Sequence, residues 1–553
     1  MTTDIDTKDL MNRLHALNSI GVALTSETDG TRLLERILQA ARDLTFADGG
    51  TLYTKTEDNQ LKFEIMISET LHIHQGGTSG QKINMPLLPL VTESGEKNLK
   101  LVAAAAAITK KTINIPDVYQ RTNFEFSGTW EFDQRMGYRS KSFLTIPMLN
   151  HENEVIGVLQ LINARNSKKT TIKEFSFQEQ QLVESLASQA AVALLNQRLI
   201  SEHKHLFKSF IQLIARGIDD KSPYTGTHCE RVPVITMMLA HATDRCKNNQ
   251  DQEISDFSLN EELEYEIWVA SMLHDCGKII TPEHIIDKST KLETIYDRVQ
   301  QIDTRYTVLR RDAEIRHLQR ELKALKAGHY INEYELNKNL QQEYATLDEE
   351  RRFIHHCNVG SEFMTDSDKE RIQAIAQRRW YNHENINRPL LLPDEVYNLT
   401  IAKGTLTPEE RKVINHHIVA TINMLNELPY PKNLRNVPEF AGGHHERMDG
   451  RGYPNGLTRE QMSIPARIMG IADIFEALTA AHRPYKKPMA LSTALTILGR
   501  MKEDNHIDPD LFDVFVHEKV YYEYASKYLA PEQIDEFDVS SLPGYNPDYG
   551  KAG

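Results

Sequence analysis

The sequence predicts a multidomain protein with an N-terminal α+β domain, a long linking helix, and a helical C-terminal domain interrupted by a helical insertion. Three observations predict this. A chain of 553 residues is too long to fold around one core. Its first third mixes helix-periodic with strand-like segments, whereas the remainder repeats apolar residues mostly at helical spacing. Between them, Phe177 to Asp219 holds no proline, and no glycine before Gly217, so nothing interrupts a helix there.

Composition narrows the functional classes. An apolar content of 40% and a charged content of 26% are ordinary for a globular protein. No apolar run approaches the length needed to cross a bilayer, and Met1 to Asp9 is polar and acidic, so a cytoplasmic protein without a membrane partner is expected. Cys229, Cys246, Cys276 and Cys357 are scattered without Cys-x-x-Cys spacing, which argues against a disulfide framework and a structural zinc knuckle. A formal charge of −14 disfavours nucleic acid and anionic membrane as partners. An anionic substrate therefore needs a locally basic pocket.

From Leu10 to Asp48, Leu14, Leu17, Ile20 and Leu24, then Leu33, Leu34, Ile37, Leu38 and Ala41, fall at helical spacing. Thr51 to Tyr53 and Leu61 to Ile67 are expected strands, and Ser142 to Met148 and Val155 to Ile162 form an expected hairpin around Asn150 to Glu154. Helix, strands, hairpin and closing helix resemble a GAF domain, a small-molecule sensor module. The segment Asp133-Gln134-Arg135-Met136-Gly137-Tyr138-Arg139-Ser140-Lys141-Ser142 is similar to the corresponding region of GAF domains that bind cyclic nucleotides. The resemblance implies a sensor domain over residues 1–176 with a small ligand such as a cyclic nucleotide; the alternative is a GAF fold used for dimerisation or another ligand. Two positions depart from the pattern: Ala164 follows Asn163 where a lysine is common, and Gln178 sits near an expected acid.

Along 177–219, steps of four and three from Leu182 trace a candidate coiled-coil seam. One heptad position is apolar throughout (Leu186, Ala193, Ile200, Phe207, Ile214), while the other is polar at Gln189, Asn196 and His203. This segment is expected to link the domains and pair two chains in a homodimer. The alternative is an apolar stripe that packs against its own domain.

The densest chemistry lies in Gly443 to Pro454, which runs His444-His445-Glu446-Arg447-Met448-Asp449-Gly450-Arg451-Gly452-Tyr453-Pro454. Upstream, an apolar helix from Glu266 to Leu273 delivers His274-Asp275-Cys276-Gly277-Lys278, and Pro223 to Val232 carries His228 into a helix ending near Cys246. Downstream stands Ile471-Ala472-Asp473. Imidazoles and carboxylates without thiolate suit iron, manganese or similar ions better than a structural zinc site. These motifs resemble the HD-GYP family of cyclic dinucleotide phosphodiesterases, over roughly Phe207 to Leu292 and Gly404 to Tyr524. The resemblance implies an all-α HD-GYP domain in two parts, 220–292 and 404–553, around an insertion at 293–403. Within the insertion, Asp312 to Lys326 and much of Glu343 to Trp380 have helical spacing, and Thr407-Pro408 starts a helix where the family pattern resumes.

Position by position, the resemblance implies metal ligands at His228, His274, Asp275, His417, His444, His445 and Asp473. Asp275 would bridge two divalent metals, iron or manganese, and act in catalysis with Lys278. Family spacing from Leu406-Thr407 selects His417 over His416, whereas His355-His356 lacks the Glu-Arg-x-Asp-Gly continuation and is expected to be solvated. Tyr224 stands where relatives with a third metal place an acid, so two metals are expected rather than three. Paired metals generate hydroxide at neutral pH and neutralise charge on phosphoryl oxygens. The implied substrate contacts are Lys278, Arg447, Gly452, Tyr453, Pro454, Arg483 and Lys486. The implied reaction opens cyclic di-GMP to linear pGpG, then GMP, under control of the sensor domain. The residues leave open cyclic GMP-AMP as substrate, since nothing local reports the base, and also a non-catalytic dinucleotide receptor. Hydrolysis of nucleoside triphosphates or alarmones fits less well, because HD-type enzymes of that kind lack the His-His and Gly-Tyr-Pro elements.

Overall fold

The structure is a computed structural model and describes residues 17–549 apart from 25, 28, 93, 121–122, 167–170, 222–226, 247–251, 329–331, 361–362, 481–487 and 548. The chain divides into two compact units, Met1–Phe207 and Lys208–Gly553. No helix among the described residues is long and apolar enough to cross a membrane.

The first unit is an antiparallel sheet with helices on both faces. Its strands are β1 (Gly49–Lys55), β2 (Gln60–Ser68), β3 (Ile73–Gly76), β4 (Leu88–Pro89), β5 (Ile113–Ile115), β6 (Phe143–Leu149) and β7 (Val155–Ile162), in the order β3-β2-β1-β7-β6-β5 with β4 beside β2. Helix α1 (Gly30–Thr45), capped by the Asp29 side chain, turns Leu33, Ile37, Leu38 and Ala41 onto the sheet. They share one core with Leu52, Ile65, Leu144 and Leu159. Helix α2 (Val102–Thr109) covers a second core, where Ala103, Ala104 and Ala107 pack with Tyr53, Leu61 and Val158. Helix α3 (Ser127–Met136) precedes β6, and its Asp133 accepts hydrogen bonds from Ser140 N and Tyr119 Oη at 2.7 and 2.6 Å. Three of the four expected strand segments lie within observed strands, and the fourth, Ser142 to Met148, begins one residue before β6; β3, β4 and β5 carry too few alternating apolar residues to announce themselves.

Helix α4 spans Phe177–Asp219. Leu182, Val183, Leu186, Ala187, Ala190 and Ala193 are buried in the core of the first unit, so the start of the expected seam is covered by its own domain. Ile200, Phe207 and Ile214 are exposed, as is a second row at heptad spacing, Val192, Leu199, Leu206 and Leu213.

The second unit is helical. Helices α5 (His228–Arg245), α6 (Glu261–Leu273), α10 (Pro408–Asn426), α11 (Val437–Gly442), α12 (Ile464–Thr479), α13 (Leu491–Glu503), α14 (Pro509–His517) and α15 (Val520–Tyr528) build it, with α7 (Val299–Lys326), α8 (Glu333–Val359) and α9 (Asp366–Ala376) in the insertion. Val232, Ile235, Leu239, Ile267, Ala270, Ile468, Ile471, Phe475, Phe512 and Phe515 form its main core. Thr407 accepts from Glu410 N in a reciprocal cap that starts α10, as Thr407-Pro408 predicts. The insertion has a core of its own, including Ile302, Tyr306, Leu309, Leu347, Ile354, Leu390 and Leu399. Gly360 ends α8 in the left-handed region at φ 68°, and a short ribbon pairs Arg379–Tyr381 with Asn387–Pro389.

Arg467 in α12 is 1% exposed and donates to Asp508 Oδ2 at 2.6 Å; Asp508 in turn caps α14 by accepting from Asp510 N and Leu511 N. Arg459 Nε donates to the same oxygen at 2.9 Å, so losing Arg467 leaves Asp508 with one cation in place of two. Arg467→Met should therefore lower the unfolding free energy of the helical unit by about 1.5–3 kcal/mol, the worth of one hydrogen bond to a charged group, seen as a lower urea midpoint at unchanged slope.

Candidate metal centre

Three helix ends and two helix interiors deliver the predicted ligands. His228 opens α5, His274 and Asp275 follow α6, His417 lies within α10, His444 and His445 follow α11, and Asp473 lies in α12. Three histidines use the same local device, in which Nδ1 lies against the carbonyl oxygen three residues back. His274 Nδ1 meets Ser271 O at 2.7 Å, His417 Nδ1 meets Ile414 O at 2.6 Å, and His444 Nδ1 meets Ala441 O at 2.6 Å. A carbonyl only accepts, so each Nδ1 carries the proton and each Nε2 offers its lone pair. For His228 the partner is Glu476, with Nδ1 2.6 Å from Oε2.

The Nε2 atoms converge. His228 and His274 Nε2 are 3.3 Å apart and lie 3.3 and 3.2 Å from Asp275 Oδ2. Asp473 Oδ1 is 3.2 Å from His228 Nε2. Asp275 Oδ1 is 3.2 Å from His417 Nε2, which is 3.2 Å from His445 Nε2. Two groups thus form, His228/His274/Asp275 and His417/His444/His445, each with donor atoms within 4.8 Å of one another. Asp275 Oδ1 and His444 Nε2 are buried without a hydrogen-bond partner among the described residues. Buried lone pairs aimed into a cluster of donors fit divalent cations.

Residues 29–194 match the GAF domain family, and residues 389–511 match the HD domain family. The chain thus carries a GAF domain followed by an HD domain. The HD match contains His417, His444, His445 and Asp473, whereas His228, His274 and Asp275 precede it across the insertion. Among curated relatives, the chain is 44% identical over 86 residues to a 3'3'-cGAMP-specific phosphodiesterase of Vibrio cholerae, covering 16% of this chain and 20% of that one. It is 34% identical over 152 residues to a probable cyclic di-GMP phosphodiesterase of the same organism (26% and 32%) and 37% identical over 128 residues to a cyclic di-GMP phosphodiesterase of Pseudomonas aeruginosa (23% and 29%). The chain thus spans between a fifth and a third of the length of these relatives.

The electrostatics of the site follow from burial. Burial alone would push the Asp275 carboxyl up, but Lys278 and His274 beside it hold it well below the usual carboxylate range. Burial lowers His444 strongly, with His445 and His274 adding to the effect, and takes His445 down to about 4, so both imidazoles are neutral at neutral pH. Burial pushes the Cys276 thiol up to about 11, which keeps a potential sulfur ligand protonated next to Asp275.

The other predicted residues sort by position. Lys278 Nζ pairs with Asp275 Oδ2. His416 is exposed, and His355 pairs with Asp303 at 2.8 Å on the insertion. Arg447, Gly452 and Tyr453 line a cavity of about 420 Å³ that also includes His444, His445 and Asp473. Tyr453 stacks on His445 with ring centroids 4.8 Å apart, and the Tyr453–Pro454 peptide is cis. Gly452 is required sterically, because a Cβ there would lie 2.4 Å from Arg447 N. Arg483, Lys486 and Tyr224 lie outside the described residues. In the GAF domain, Asn163 is fully engaged: Oδ1 accepts from Lys141 N at 2.6 Å, and Nδ2 donates to Arg139 O at 2.8 Å and Tyr138 Oη at 2.9 Å. Gln178 is exposed, and Glu179 beside it is the buried acid.

Two acids escaped the sequence reading. Glu476 orients His228, and its only sequence signal is its place one turn after Asp473 on the same helix. Glu446, 4% exposed, holds the Gly-Tyr-Pro loop by accepting from Asn455 N at 2.7 Å and Leu457 N at 2.9 Å. Glu446→Gln keeps one acceptor and should cost about 1.5–3 kcal/mol, and Glu446→Ala more, in denaturant unfolding of the helical unit.

Proposed function

We propose that the chain is a metal-dependent phosphodiesterase that opens cyclic di-GMP to linear pGpG, and pGpG further to GMP, under control of its GAF domain. The observation that carries this reading is the division of Asp275, with one oxygen toward His228 and His274 and the other toward His417. His228, His274 and Asp473 would hold one divalent metal, His417, His444 and His445 the second, and Asp275 both. The nitrogen and oxygen donor set favours iron or manganese. When bound, such a pair activates water at neutral pH and neutralises charge developing on the phosphoryl oxygens.

The chain's own groups do the rest. Lys278 lies against Asp275 and presents a cation to the scissile phosphate as that phosphate enters. Tyr453, fixed by its stack on His445, walls the cavity where a base would lie. Arg483 and Lys486 are proposed as further phosphate contacts. In the reaction, water adds across the P–O3′ bond: its oxygen joins phosphorus, a proton leaves with the 3′ oxygen, and the phosphate stays on the 5′ side. A second reading keeps this chemistry with cyclic GMP-AMP as substrate, favoured by the 44% identity to a relative named for that specificity.

We assign residues 1–176 to sensing, 177–219 to linking and pairing, 220–292 and 404–553 to catalysis, and 293–403 to the insertion. A cavity of about 700 Å³ in the GAF domain, lined by Tyr53, Phe63, Met66, Arg135, Phe143 and Gln160 among others, suits a small ligand such as a cyclic nucleotide. The exposed row Val192, Leu199 and Leu206 suits the seam of a parallel homodimer.

Protein loaded separately with iron or manganese should turn over cyclic di-GMP, with cyclic GMP-AMP run alongside to rank the two substrates. Asp275→Asn should lower turnover more than about 100-fold and reduce bound metal while leaving circular dichroism unchanged, since even residues behind the ligands cost 10–100-fold. Turnover within tenfold of wild type in that variant would overturn the reading. With the native cysteines replaced, Leu206→Cys should give disulfide-linked dimers under mild oxidation; a purely monomeric product would exclude the parallel seam.

A further inference from the structure

The cavity beside the candidate metal centre has two arginines in different states. Arg447 is committed within the protein: Nε and Nη2 donate to the two oxygens of Asp449 at 3.0 and 2.8 Å, and Nη2 also reaches Asp504 O at 3.2 Å. Its charge is matched by Asp449, so it braces the loop more than it offers a contact. Arg451 lines the same cavity and is exposed. Its backbone N–H donates to Asp449 Oδ1 at 3.0 Å, which fixes where the residue leaves the loop, but its guanidinium makes no hydrogen bond or ion pair with the described residues. Among the described residues that line the cavity, Arg451 is thus the cationic fork whose donors are not committed to a hydrogen bond.

The walls restrict what that fork can meet. At about 420 Å³ the cavity accepts a nucleoside-sized group, and Ile474, Leu478 and Met489 give it an apolar lining suited to the flat face of a purine. The scissile phosphate has its own cation in Lys278, held at Asp275. We propose that Arg451 reads a guanine base of the substrate, donating two parallel hydrogen bonds to O6 and N7. This rests on the phosphodiesterase reading and deepens it, because the fork discriminates between bases. Guanine presents two adjacent acceptors on that edge, whereas adenine presents an acceptor at N7 and a donor at N6, so the same fork makes one bond and meets a clash of donors. A bidentate contact of this kind discriminates by about 1–3 kcal/mol. Arg451 is thus a specificity-determining residue.

The test is a ratio. Metal-loaded full-length protein is assayed on bis(p-nitrophenyl) phosphate, and cyclic di-GMP and cyclic di-AMP are each measured as competitors of that reaction. Wild type should prefer cyclic di-GMP, Arg451→Met should shrink the preference roughly tenfold or more, and Arg451→Lys, which keeps the charge without the fork, should not restore it. A preference unchanged in Arg451→Met, or restored by Arg451→Lys, overturns the proposal while leaving the phosphodiesterase reading intact; the second outcome assigns Arg451 to a phosphate instead. Wild type that hydrolyses neither the simple diester nor cyclic di-GMP overturns the phosphodiesterase reading itself, and this proposal with it.

Discussion

The site depends on a backbone contact. Gly277, two residues after Asp275, packs so closely on α10 that a Cβ there would lie 2.0 Å from His417 O and 2.6 Å from Thr421 N, while Gly277 N donates to Thr421 Oγ1 at 2.9 Å. Only hydrogen fits in that gap. The main chain of one segment thereby sets the position of the other, and Asp275 Oδ1 comes within 3.2 Å of His417 Nε2. A side chain at residue 277 would have to push the two segments apart by more than an ångström, and Asp275 could then no longer face both groups of histidines.

That contact fixes distance, and the carbonyls fix orientation. Ser271, Ile414 and Ala441 each hold an imidazole by Nδ1 from inside its own turn, so the ring has little freedom left and its tautomer is determined. This arrangement has a free-energy cost. Among the described residues, Asp275 Oδ1 and His444 Nε2 are buried without hydrogen-bond partners, at about 1–3 kcal/mol for each such group. The apolar packing of α5, α6 and α12, with Val232, Ile267, Ile468, Ile471 and Phe475 fully buried, offsets it. A site built this way is strained toward binding a cation, because a cation satisfies both orphaned atoms together.

The fold was legible where periodicity is long and the site was legible where motifs are contiguous. The 43-residue helix α4 and the β6–β7 hairpin stand out because nothing in those stretches contradicts them. The seven residues from His228 to Asp473 were legible through a family resemblance, since chemistry alone did not separate His416 from His417; burial separates them in the structure. Glu446 and Glu476 were hidden for a different reason. They touch ligand-bearing segments through partners distant in sequence, Asn455 and Leu457 for one and His228 for the other, and no local pattern marks a residue whose role is defined by packing. The same holds for Arg447 and Arg451, identical in type and four residues apart, which only the position of Asp449 tells apart.

The insertion raises the question of how a site can be divided by a long excursion of the chain and still close. Loop-closure entropy grows only with the logarithm of length, so the excursion itself is inexpensive if its ends are tied. They are tied by buried polar bonds. Lys288 donates to Glu410 at 2.8 Å and to Asn398 at 3.0 Å, Thr405 Oγ1 donates to Lys288 O at 2.9 Å, and Lys291 donates to Leu399 O and Ile401 O at 3.1 and 2.8 Å. Two lysines on the outgoing segment thus grip the returning one before and within the first turn of α10. Because the insertion also buries its own core, its length and shape can vary without moving this neck. His417 then stays in register with His274 and Asp275, although the sequence places the two halves far apart.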